Sequence, residues 1–299
     1  MRTMPHHLSL VPFIITATFS VAAADVGAQP QNMPAGDGFT PIFDGRSLHG
    51  WKAPDMTYWR ISEGAITGEV TLEHMPKENS FLAWQGEPVK DFELKFSFRI
   101  FGKEANSGMQ FRSEVKDRGL VHGYQADIDG AGKFAAGIWD EYGTRKSLAA
   151  RGERATWDAD GKKTAGKIAD PFEGKPADLT QWTEYHITAI GNKITLRVNG
   201  KLACELIDAD PKKQRLSGVL AVPVIPKPMK VQYKEIRLKR LEDAKAADAA
   251  QPNAGVPAKG PLSKELAEAR FNDTALRERW TKAWESAAIA ETRKHSVSE

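Results

Sequence analysis

Between Asn106 and Glu141 the chain gathers amides, carboxylates and a guanidinium at strand spacing. The runs are Asn106-Ser107-Gly108-Met109-Gln110-Phe111-Arg112, Gly123-Tyr124-Gln125-Ala126-Asp127 and Gly137-Ile138-Trp139-Asp140-Glu141. Alternate side chains of a strand face opposite sides. Met109 and Phe111 therefore share one face, and Gln110, Arg112 and Glu114 the other. In the same way Tyr124, Ala126 and Ile128 oppose Gln125, Asp127 and Asp129. Side by side, such strands bury an apolar face and present a polar floor suited to a sugar and a metal ion.

The elements that must hold this floor are strands. Phe92-Leu94-Phe96-Phe98-Ile100 alternates with Glu93-Lys95-Ser97-Arg99, the mark of a half-buried strand. Tyr185-Ile187-Ala189 shares one face of another. Ile194-Leu196-Val198 runs into Asn199-Gly200, and Leu202-Cys204-Leu206 follows, a strong hairpin signal. Val231 and Tyr233 share a phase from which Ile236 and Leu238 have slipped by one residue, as a β-bulge would cause. Helical periodicity is nearly absent between residues 38 and 241, so the expected fold is an all-β sandwich or jelly roll. Arg151 to Thr180 breaks the rhythm with Lys, Asp, Gly and Ala around Trp157 and Phe172, and reads as a surface loop beside the groove. Residues 242–261 form an Ala-, Pro- and Gly-rich linker. Residues 262–299 form a tail, helical over 262–293, in which Leu276, Trp280 and Trp284 make one apolar stripe. That stripe docks on its own domain or contacts a partner protein.

The chain has 299 residues, 41% hydrophobic and 27% charged, with a net charge of +3. Lys and Arg are scattered, so nothing points to a nucleic-acid partner. Residues 1–28 read as a signal peptide: Arg2, an apolar stretch from Leu8 to Val21, then small residues with cleavage after Ala24 or Ala28. The stretch is short for a bilayer span. The expectation is a periplasmic or secreted protein with no stable membrane insertion after cleavage. Cys204 is the single cysteine, so no internal disulfide can form. Its phase with Leu202 and Leu206 makes it a buried strand residue.

Further segments, in order, carry a family resemblance. Gly38-Phe39-Thr40-Pro41-Ile42-Phe43-Asp44-Gly45 with Leu48-His49-Gly50-Trp51, then Trp59-Arg60-Ile61-Ser62-Glu63-Gly64-Ala65-Ile66, resemble the opening of the DUF1080 proteins, the 3-keto-disaccharide hydrolase domains. Asp91-Phe92-Glu93-Leu94, Asn106-Ser107-Gly108, Gly123-Tyr124-Gln125, Asp140-Glu141, Trp182, Asn199-Gly200 and the closing stretch from Lys230 to Leu238 fit the same order. The resemblance spans residues 38–241. It implies a concanavalin A-like β-sandwich, usually exported, acting on glycosides already oxidised to a ketone at C3, in some members with a divalent metal ion. One departure stands out. Where relatives carry a segment like Ala-Leu-Gln-Leu-His before the last strand, this chain has Pro223 for the glutamine and Ile225 for the histidine.

A 3-keto sugar opens a route other than ordinary glycosidase chemistry. The ketone acidifies the C2 proton, a base removes it, and the C1 substituent leaves by β-elimination; water then adds to the enone. This needs a base, an enolate stabiliser and an acid. Under the resemblance Glu141, beside Asp140, is the first candidate for base. Asp127 is a second acid/base, and Asp127 and Glu141 are candidate metal ligands. Arg112 is a candidate to hold the enolate oxygen, or else pairs with Glu114 or Asp127. His122 is a candidate proton donor, or a ligand replacing the missing histidine. Asn106, Ser107, Gln110, Tyr124, Gln125, Trp139 and Asp140 are candidates to bind substrate. Two other readings stay open: a non-catalytic carbohydrate-binding protein, which the absent histidine favours, and an assembly module that uses its C-terminal helix for contact.

Overall fold

The computed structural model describes residues 37–169 and 178–241. The expected signal peptide, linker and C-terminal helix lie outside the described residues. In chain order the strands are β1 (Thr40–Pro41), β2 (Trp51–Lys52), β3 (Trp59–Ser62), β4 (Ala65–Val70), β5 (Ser80–Trp84), β6 (Phe92–Phe101), β7 (Asn106–Val115), β8 (Val121–Asp129) and β9 (Ile138–Glu141). There follow β10 (Lys146–Ala149), β11 (Glu153–Trp157), β12 (Lys163–Lys167), β13 (Thr183–Ile190), β14 (Lys193–Val198), β15 (Lys201–Asp208), β16 (Val219–Val224) and β17 (Met229–Arg240).

They form two sheets. One runs β12-β11-β15-β14-β13-β6-β17-β4-β3, with β1 beside β17; the other runs β10-β9-β8-β7-β16-β5-β2. This is an all-β sandwich, as the alternation of the sequence predicts. In β6 every second side chain is buried, from Phe92 to Ile100. Phe96, Phe98, Tyr185 and Tyr233 pack as an aromatic cluster between the sheets, with Phe98 edge-on to Tyr185 at 4.6 Å. Burying one such side chain stabilises the fold by about 1.5–3 kcal/mol. Cys204 is fully buried in the same core, which pushes its thiol up and leaves it unreactive.

Local chemistry accounts for two turns of geometry. Asn199 and Gly200 join β14 to β15 with φ of 46° and 82°, as a tight hairpin turn requires. The phase slip in β17 is a register shift between Lys234 and Arg237, with Glu235 at φ 54°. The expected surface loop after Arg151 is a correction. Glu153–Trp157 and Lys163–Lys167 pair as an antiparallel hairpin, and β11 also runs parallel to β15. Ala155 is buried, whereas β12 is exposed over most of its length. An edge strand buries too little to impose apolar alternation, so its composition looks like loop. Among the described residues no helix is long and apolar enough to cross a membrane.

Candidate active site

The site lies on the face of the β7–β8–β9 sheet that points away from the core. Asn106, Gly108 and Gln110 face it from β7, since Ser107, Met109 and Phe111 turn inward. Gln125 and Asp127 face it from β8, and Trp139 and Glu141 from β9. The register aligns Gln110 with Gln125 and Gln125 with Trp139, so these three form one row.

A chain of amides ends on Asp127. Ser113 Oγ donates to Gln110 Oε1 at 2.8 Å, and Gln110 Nε2 donates to Gln125 Oε1 at 3.1 Å. Gln125 Nε2 then donates to Asp127 Oδ1 at 3.0 Å, and Asn106 Nδ2 reaches the same oxygen at 3.4 Å. Each amide is thereby held in one orientation. Gly108 makes room for this: a Cβ there would stand 2.4 Å from Gln125 Cγ.

Asp127 is only 4% exposed, and its carboxyl is pushed up to about 7. Burial is the main cause. The amides of Gln125 and Asn106 favour the charged form and hold the rise back, while the negative charges of Asp129 and Glu141 add to it. A carboxyl so tuned can both take and return a proton near neutral pH. It forms part of a small, partly open cleft, together with Lys133, Phe134, Trp139, Ser147 and Arg151. Phe134 and Trp139 stand 5.5 Å apart with tilted rings, the kind of apolar surface on which a sugar ring packs.

Glu141 lies at the other end of the face. It is level with Gly123, four residues along β8 from Asp127, which sets the two backbones about 13 Å apart along the strand. Asn79 Nδ2 donates to Glu141 Oε1 at 3.2 Å. Burial raises the Glu141 pKa, against the lowering effects of Lys146 and the Asn79 hydrogen bond. His122 belongs to this end, stacked on Tyr142 at 4.6 Å. Its Nε2 is buried with no hydrogen-bond partner among the described residues. Burial first, then Lys116 and Arg215, depress its pKa, so the ring is neutral at neutral pH.

Four candidates from the sequence sit elsewhere. Arg112 does not share the face of Gln110. A bulge interrupts the β7–β8 register after Phe111, and Arg112 takes φ 47°. Its guanidinium is buried against Asp91 at 3.3 Å and donates to the carbonyls of Lys90 and Gly191, tying strand ends together. Ser107 points into the core, 2.7 Å from the Tyr233 hydroxyl. Tyr124 also points inward, donating to Asp208 and accepting from the Arg215 amide at 2.9 Å. Asp140 stands opposite Tyr124 and shares its side of the sheet, 3.6 Å from Arg145. Arg145 forms a two-point pair with Asp208 at 2.8 Å on each side. Asp140 and Glu141 are therefore neighbours in sequence that face opposite ways, and they are not a shared carboxyl pair.

The donors do not make a metal chelate. Asp127 Oδ1 accepts from two amides, Glu141 is at the far end, and among the described residues no three His, Cys, Asp or Glu converge as a metal site. The β7–β16 register matches Ala221 with Gln110. Continued, it brings Pro223 level with Gly108, which pairs with Asp127, whereas Ile225 lies past the end of β16 and packs against the hydrophobic core. Sequence reading missed Asn79, Ser113, Lys133, Phe134 and Arg151. Phe134, a large aromatic in the small-residue stretch from Gly130 to Gly137, was the one visible signal.

A family model described as the 3-keto-alpha-glucoside-1,2-lyase-like domain matches residues 38–239. No curated protein matches the chain. Among solved structures, a provisionally assigned glycosyl hydrolase from Parabacteroides distasonis is 15% identical, with a TM-score of 0.45, covering 68% of this chain and 93% of its own. The carbohydrate binding module CBM66 from Bacillus subtilis is 15% identical, with a TM-score of 0.42, covering 64% and 95%. A Bacillus subtilis protein of unknown function with a galectin-like fold is 11% identical, with a TM-score of 0.44, covering 64% and 90%. At these values no activity or ligand transfers from them.

Proposed function

Because the chain belongs to the family of 3-keto-alpha-glucoside-1,2-lyase-like domains, we propose that it is an exported enzyme that cleaves 3-keto-glycosides by elimination, with Asp127 as its acid/base. Membership makes it a glycoside-processing domain; the specific reaction and the residues are our reading. The single observation that carries it is the Asp127 carboxyl, raised to about 7 in a cleft walled by Trp139 and Phe134.

In this reading Asp127 removes the C2 proton and then returns it to the oxygen leaving C1. One carboxyl can do both where the C2 proton and the leaving oxygen share a face of the ring, as in a β-glucoside; in an α-glucoside they are trans, and the leaving oxygen takes its proton from water instead. An ordinary glycosidase uses two carboxyls flanking one bond, whereas elimination from a keto sugar starts from a single base. The base role expected of Glu141 thus passes to Asp127. Glu141, with Asn79 and Tyr142, serves the neighbouring sugar or leaving group. Gln125 and Asn106 hold Asp127 in place, and Trp139 stacks on the ring. No step is assigned to a metal, for want of a fitting donor set. Residues 1–28 act as the leader, 38–241 as the catalytic sandwich and 262–299 as an appendage.

A binding-only protein is the second reading. It draws on Pro223 and Ile225, apolar where relatives are polar, with Pro223 one strand away from Asp127. The two readings separate on incubation of the mature protein with a chromogenic 3-keto-glucoside and its unoxidised counterpart. The enzyme releases the chromophore from the keto form alone, and Asp127→Asn abolishes the release. Binding of the keto sugar without release would establish the second reading.

A further inference from the structure

With Arg112 buried elsewhere and no chelate at Asp127, the elimination still needs positive charge for the oxygen that becomes an enolate. The cleft has two cations of its own. Lys133 sits in the turn after β8, where Asp129 accepts from the backbone amides of Ala131, Lys133 and Phe134 at 2.8–3.0 Å. Its ammonium lies 4.8 Å from the Phe134 ring centre. Arg151 reaches the same turn from the opposite side, its Nη1 donating to the carbonyls of Gly132 at 3.1 Å and Ala135 at 3.0 Å. Its remaining N–H groups bond no described residue, and neither cation forms an ion pair with a described carboxylate. Both line the cleft with Asp127, yet neither pairs with it. Two positioned cations that line the cleft without pairing to the base form an electrophilic site with no ion-pair partner among the described residues.

We propose that Lys133 and Arg151 hold the ketone oxygen of the substrate and take the charge of the enolate. The inference rests on the elimination reading above. In the step, the C2–H bond breaks and its proton goes to the Asp127 carboxylate. The bonding pair becomes the C2–C3 π bond, and the carbonyl π pair moves to the C3 oxygen, which faces the ammonium and guanidinium. Return of that pair re-forms the ketone and expels the C1 substituent, whose oxygen takes the proton from Asp127 in a β-glycoside; in an α-glycoside it takes one from water, and Asp127 gives its proton to solvent. No electrons are gained or lost overall, and the product is the enone. Charge-assisted donors at a developing oxyanion act on the transition state more than on the ground state.

The test is turnover of a chromogenic 3-keto-glucoside by the full mature chain, before and after EDTA treatment, beside Lys133→Met, Arg151→Met and Arg151→Lys. EDTA-treated wild type is expected to keep its kcat. Each Met variant is expected to lose about 10²–10³-fold in kcat with little change in KM, and Arg151→Lys to recover part of it. Because Arg151 also braces a turn, Lys133→Met is the cleaner variant: its side chain makes no hydrogen bond to a described residue, so its thermal midpoint is expected to stay put. Loss of kcat with EDTA, restored by an added divalent ion, would overturn the inference and leave the elimination reading standing. So would Met variants with unchanged kcat. Wild type inert on the keto sugar under every condition would sink the elimination reading and this inference together.

Discussion

Asp127 is costly to ionise where it stands, and the cost has a sign. Its carboxyl is raised from 3.8 to about 7 by burial. Between those values the native state keeps a proton that the unfolded chain has lost. Stability therefore falls as pH rises through that window and is lowest above about 7. The difference is on the order of 4 kcal/mol. Asp127→Asn should accordingly melt higher than wild type at about pH 8 and no higher at about pH 4, by thermal denaturation. Gln125 acts in the opposite direction, because its amide favours the charged carboxylate. Gln125→Leu should push the acidic limb of the pH–rate profile above 7 while leaving the sandwich folded. Alternation alone made Gln110, Gln125 and Asp127 legible as polar-face residues, while Glu141 stood out only as the neighbour of Asp140. It misled at Arg112, because a bulge set by a non-glycine residue carries no local mark. The mark was on its neighbours: a Cβ on Gly218 would stand 2.4 Å from the Arg112 carbonyl carbon, and one on Gly123 would stand 2.3 Å from Ser113 Oγ.

At the scale of elements, the bulge in β7 turns a cation from the open face into a brace. Arg112 reaches Lys90 and Asp91 ahead of β6 and Gly191 between β13 and β14, so it links the two sheets. Removing one member of a buried pair leaves the other charge unpaired. Arg112→Met should cost about 3–5 kcal/mol in urea denaturation, yet leave kcat intact wherever the protein stays folded. A catalytic Arg112 would show the reverse. The long alternating strands β6, β13 and β14 were readable because each buries a full apolar stripe. The hairpin of β11 and β12 was not, since only Ala155 in β11 is fully buried and β12 lies at the sheet edge. The same hairpin follows directly on Arg151, which is why that cation looked like part of a loop.

At the scale of the molecule, both sheets are built within the described residues, which reach Leu241, whose amide donates to the Asp91 carbonyl at 2.9 Å. A chain ending at residue 241 should therefore fold and turn over substrate like the full one, which compares directly in kcat/KM and thermal midpoint. Loss of the fold would instead make the tail part of the core. The sandwich was legible from strand periodicity, and its family from ordered short segments. The cleft was not, because it forms where the turn after β8 meets the approach to β11, two segments outside any strand and separated by β9 and β10. The account as a whole stands on one titrating group. The most direct measurement is the pH dependence of kcat/KM for a 3-keto-glucoside, with Asp127→Asn beside wild type. The expected profile rises with unit slope to a plateau above about 7, and the variant shows no turnover at any pH. A profile flat through that range, or an active Asp127→Asn, would contradict it.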